Sequence, residues 1–156
     1  MGLAFDESEA RLAAGYVVSV QSRAIRDTAV AASWREAEAI MRDPHAGAHW
    51  QDREEAERQR LMRKMQQQLA PHVLLDALTS AVEGHAQATY ACAMRASAGD
   101  EALARVASGA ALTSIHLRAL ALLAGCGELH VFVQKYALFA AGRFPLGMSG
   151  STFIIF

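Results

Sequence analysis

Two imidazoles four residues apart on a helix share one face, which is how zinc-binding helices present a pair of ligands. His45 and His49 have that spacing if Asp43-Pro44 starts a helix, with Asp as the cap and Pro at the first helical position. Asp52 lies one turn beyond His49 and could join them on a divalent metal, with a further ligand from elsewhere in the chain. Position 46 is Ala, where the HExxH motif carries its glutamate base, so this face lacks the base of a metalloprotease. The plain alternative is a pair of surface histidines at a helix start.

Ser114 and Arg118 stand four residues apart in the most apolar stretch of the chain and could hold an anion jointly. The alternative makes Arg118 the one wet edge of its helix, with its aliphatic stem covering apolar neighbours. His116 points to a different face from Arg118 and is expected to be hydrogen-bonded and structural. Two acid-x-His echoes, Glu83/His85 and Glu128/His130, are spaced so that their side chains diverge on a helix. Glu83, His85 and His130 would form a site only if different helices brought them together. The Glu-x-x-His spacing of di-iron bundles is absent.

Other chemistries lack their motifs. The sequence has no phosphate loop, dinucleotide fingerprint or Gly-x-Ser-x-Gly elbow, and Ser149-Gly150-Ser151 comes with no base placed beside it. Cys92 and Cys126 are 34 residues apart with no CxxC, and are expected as buried free thiols. A net charge of −1 and a pI near 6.6 offer no basic stripe for nucleic acid. Asp6, Glu7 and Glu9 stand where a secretory signal would be apolar, and His116 and Arg118 interrupt the stretch Val106 to Gly127. The expectation is therefore a cytoplasmic protein that engages neither membrane nor nucleic acid.

The elements that must position these residues are helical. The 156 residues are 53% hydrophobic, much of it alanine, with few aromatics; such a composition favours closely packed helices. A three-four period runs from about Glu7 to Arg42, with a break possible near Asp27-Thr28. A second helix would run from Pro44 to about Leu69, its front almost wholly charged. Pro71 resets the chain, and Val73, Leu74, Ala77, Leu78, Ala81 and Val82 form a clear amphipathic stripe that continues past Gly84 to about Ser97. Asp100-Glu101 opens a helix, apolar on most sides, that runs to about Ala124 and should be central. Residues 128–141 fit either a helix or an alternating strand, with the helix favoured. The expected architecture is one all-α domain spanning 1–156, a bundle of about five helices with a short extended C-terminal tail.

Charge is unevenly spread: 21 of 31 charged residues fall at or before Lys64, and the 55 residues from Ala102 onward hold five. The back half must therefore hide its surface in its own core or against another chain. Phe153, Ile154, Ile155 and Phe156 pose that choice most sharply, because four such side chains would make a sticky patch if exposed. They are the expected interaction residues, either folded back or packed on another subunit. The reading that follows is a non-enzymatic interaction module of adaptor, chaperone-like or immunity type, with a protein partner or a homo-oligomer and no cofactor. Its rival is a helical bundle that binds a metal or small ligand on the His45/His49 face, as an enzyme or otherwise.

Overall fold

The computed structural model describes residues 49–143, the strand segments 27–30, 145–149 and 152–155, and Glu7, Ser8, Arg11, Arg35 and Glu36. Within the helical region, side chains are described from Glu54 to Arg143, and in the strands at Ile155. The helical region is an all-α bundle of five helices: α1 (His49–Gln66), α2 (Pro71–Glu83), α3 (Ala86–Ala96), α4 (Glu101–Leu123) and α5 (Val131–Ala140). Three short strands accompany it: β1 (Asp27–Val30), β2 (Pro145–Ser149) and β3 (Thr152–Ile155).

Local chemistry sets most helix ends. Pro71 occupies the first turn of α2, and Ala70 before it is extended, as a residue preceding proline must be. At the end of α3, Ala98 (φ 53°) and Gly99 (φ 86°) turn left-handed, and the Gly99 N–H closes on the Met94 carbonyl at 2.9 Å. The Asp100 carboxylate then caps α4 by accepting from the Leu103 N–H at 3.0 Å. Gly125, with φ of +80°, ends α4 in the same left-handed way. His130 caps α5 through its ring, Nδ1 accepting from the Phe132 N–H at 3.2 Å.

Helix α4 is the axis, packing against α1, α2, α3 and α5. It is also long and apolar enough to cross a membrane by length and composition; in the bundle its buried positions form the core, while Val106, Leu122 and Leu123 stay exposed. On one half Leu117, Leu120 and Ala121 meet Leu61 and Met65 of α1, Leu74 and Leu78 of α2, and Phe132 and Leu138 of α5. On the other half Ala104, Ala107 and Ala111 meet Ala93 of α3. Small residues on both sides let those two backbones approach closely, which explains why so much alanine is buried.

Two expectations about the elements change. The stripe begun at Pro71 does not run unbroken to Ser97: the helical ladder is interrupted at Gly84-His85, so α2 and α3 are separate. The helix expected from Glu7 to Arg42 contains a strand at its suspected break. Asp27–Val30 pairs in parallel with Thr152–Ile155, and partners so distant in sequence override local propensity. The extended tail supplies the other two strands. β2 and β3 are antiparallel, with only Gly150-Ser151 between them in sequence, a pair suited to a two-residue hairpin. β3 is the middle strand of the order β1-β3-β2, and its Ile155 is fully buried in the main core.

Candidate functional site

Two clefts flank α4. The first lies where α1 and α5 run antiparallel. The Lys135 ammonium, the one charged group on α5, donates to both Glu54 oxygens at 2.8 and 3.0 Å, with side chains 9% and 13% exposed. One turn further, the Glu57 carboxylate lies 2.7 Å from His130 Nε2 and accepts two bonds from Arg60 at 2.7 Å. Lys64 donates to the Ala124 carbonyl at 2.6 Å, covering the C-terminal end of α4. Three side chains of α1, spread over about three turns, thus clasp the α4–α5 hairpin.

Beside this clasp is a cleft of about 280 Å³, lined by Glu54, Glu55, Arg58, Ala110, Thr113, Leu117 and Lys135. Its charges are matched internally. Arg58 donates to both Glu55 oxygens at 2.7 and 2.6 Å, and with Gln59 holds that carboxyl down to about 2. The Arg60 hydrogen bonds, supported by His130, hold Glu57 below the ordinary carboxylate range against its partial burial. His116, in the helix facing this cleft, is pushed below the usual imidazole value by burial and by the nearby Arg58 charge. These pairs satisfy one another, so the cleft reads as a structural joint.

The second is a groove of about 210 Å³ between α3, α4 and α5. Ala88, Ala111, Ile115, Phe139 and Ala140 give it apolar walls, and His85, Thr89, Cys92 and Tyr136 supply polar atoms. The Arg118 guanidinium carbon lies over the Tyr136 ring, 4.5 Å from its centroid, a cation–π contact. Arg118 is half-buried, and among the described residues no carboxylate pairs with it. Ile115, Arg118 and Leu122 recur at helical spacing, so the surface continues along α4 from the groove to the exposed Leu122.

The residues singled out in the sequence are distributed as follows. His45 lies outside the described residues, and His49 and Asp52 sit in the first turn of α1, with side chains outside those described. Among the described residues no three His, Cys, Asp or Glu side chains gather as a metal group, so Glu83, His85 and His130 do not converge. His130 is engaged with Glu57 instead. Ser114 and Arg118 are separated by burial: Ser114 is 1% exposed with an unpartnered Oγ, whereas Arg118 reaches the surface beside Tyr136. Cys92 and Cys126 are free and half-buried. Ile155 belongs to the chain's own core; Phe153 and Ile154 lie in β3 with side chains outside those described, and Phe156 lies outside the described residues.

Sequence reasoning missed the clasp. Glu57 and His130 are 73 residues apart and Glu54 and Lys135 are 81 apart, so no local spacing joins them. A lone lysine inside an apolar helix was the one available signal, since buried ammonium groups demand a partner. No protein-family model, curated protein or solved structure matches the chain.

Proposed function

We propose that the chain is a non-enzymatic protein-interaction module, of adaptor, chaperone-like or immunity type, that docks its partner on the groove between α3, α4 and α5. One observation carries the reading: a half-buried guanidinium, stacked on Tyr136 and lacking a carboxylate among the described residues, stands beside an apolar groove. A partly desolvated cation gains most from an incoming anion, because bringing it away from water costs energy until it is paired. Tyrosine and arginine around an apolar depression are also the side chains on which protein interfaces concentrate their binding energy.

Magnitude favours a protein partner over a small molecule. The groove holds about 210 Å³, below the roughly 300–1,000 Å³ of pockets that enclose a small ligand. It suits one large apolar side chain, with a neighbouring carboxylate reaching Arg118.

Panning a random peptide library against the purified chain, with Arg118→Glu as the counter-selected variant, tests this. Enriched peptides should pair a large apolar residue with a nearby Asp or Glu, and bind the Arg118→Glu and Tyr136→Ala variants about tenfold or more weakly. Failure to enrich any peptide, or peptides indifferent to both substitutions, would overturn the proposal.

A further inference from the structure

We infer that a second copy of this chain fits the groove, through the Glu128-Leu129 loop between α4 and α5. The inference rests on the interaction-module reading and names its partner. Leu129 is 84% exposed, more than any other large apolar side chain among the described residues. Glu128, next to it, is exposed and forms no ion pair among those residues. One end of the helical bundle therefore offers an apolar side chain beside a carboxylate that has no ion pair among the described residues. The groove offers an apolar depression beside a guanidinium that has no carboxylate among them. The two features are complementary in polarity and charge.

The loop is held ready for such a contact. The Cys126 N–H closes on the Ala121 carbonyl at 2.9 Å, and the His130 N–H on the Gly127 carbonyl at 3.0 Å. Lys64 fixes the start of the loop at the Ala124 carbonyl, and Glu57 fixes its end at the His130 ring. A loop tied at both ends loses little freedom on docking. Leu122 and Leu123, both exposed, extend the apolar surface between loop and groove along α4.

Loop and groove belong to the same α4–α5 hairpin, so a two-fold axis lets each copy give its loop to the other's groove. Both contacts then form twice and the assembly closes as a dimer. A one-way contact would instead leave a loop and a groove free at the ends and build open chains.

Sedimentation equilibrium of the full chain over a range of concentrations tests the inference, on the wild type, Arg118→Glu, Glu128→Arg, Leu129→Gln and the double charge swap Arg118→Glu/Glu128→Arg. The wild type should be a reversible dimer. Each single reversal should raise the dissociation constant about tenfold or more, and the swap should bring it back to within about threefold of wild type. Leu129→Gln should be monomeric while keeping the wild-type circular dichroism, and should melt as the wild type does when diluted below its dissociation constant, because its side chain is exposed in the monomer. A wild type that stays monomeric at every concentration, or a dimer indifferent to Glu128→Arg and Leu129→Gln, overturns the second copy as partner. Peptide binding that survives in a monomeric protein leaves the interaction-module reading intact, so the two failures are distinguishable.

Discussion

Glu57 on α1 and His130 at the head of α5 meet at 2.7 Å, and the contact fixes which ring nitrogen carries the proton. Nδ1 accepts from the Phe132 N–H, so the hydrogen on the neutral ring sits on Nε2 and points at the Glu57 carboxylate. One side chain thus caps a helix and ties it to another. It also leaves His130 no free nitrogen with which to activate Cys126, four residues earlier.

His130→Ala should remove both functions. A lost cap costs about 1 kcal/mol, and a lost hydrogen bond to a charged group about 1.5–3 kcal/mol. The expected destabilisation is about 3 kcal/mol by urea unfolding. In a double-mutant cycle with Glu57→Ala the coupling should exceed about 1 kcal/mol; additivity within error would contradict the clasp.

Lys135 and Glu54 form the most buried pair of the clasp. Lys135→Met takes the ammonium away from a carboxylate that is 13% exposed, and breaking a buried pair from one side costs about 3 kcal/mol. Lys135→Met combined with Glu54→Leu should be less destabilised than Lys135→Met alone, because the carboxylate that lost its ammonium is then removed as well. Chemical denaturation of the three proteins decides it, and a double variant less stable than the single one would refute the account.

Acidification should weaken the fold in two separate windows. His116 prefers its neutral form in the folded state, with a value below its ordinary 6.5. The unfolded chain therefore takes up that proton first, and stability falls as pH drops from about 6.5 toward the lower folded value. Glu57 is also held below its ordinary 4.5, so its contribution is present above about 4.5 and is lost as pH falls through the folded value. His116→Gln should flatten the upper window, and Glu57→Gln should make the lower one shallower, since Glu55 is held down as well. A denaturation midpoint measured against pH in each variant separates them, and an unchanged upper limb in His116→Gln would disprove its role.

Ser114 presents the opposite case, a buried hydroxyl with no partner. Removing an unsatisfied polar group can be neutral or favourable. Ser114→Ala should be as stable as wild type or more stable by up to about 1 kcal/mol, read from its melting temperature. A loss above about 1 kcal/mol would mean that the hydroxyl has a partner, such as a buried water.

How much could be read beforehand depended on the range of each interaction. Pro71 and Asp100 act on their immediate neighbours, so the helix starts they set were legible. The central position of α4 followed from apolar residues on most of its faces, and the doubtful stretch 128–141 folded as the favoured helix. The clasp was not legible, because Glu54 and Glu57 look like any solvated helix face until α5 is laid against them. Arg118 was visible as a cation in the most apolar stretch of the chain, but its seat on Tyr136 required two helices to be packed. Strand β1 was hidden for the same reason: four residues in a helical-looking stretch give no sign of a partner near the other end of the sequence.

That pairing dictates an order of events during synthesis. The helical hairpins close between neighbours in sequence and can form as the chain emerges, since local contacts form fast. Asp27–Val30 is made early, yet its partner Thr152–Ile155 is translated more than a hundred residues later. Until then the ribosome-bound chain has a bundle whose core lacks Ile155 and a strand with nothing to pair with, an arrangement prone to sticking to other nascent chains. Of the three described strands, the one translated last is the one that covers this exposed surface.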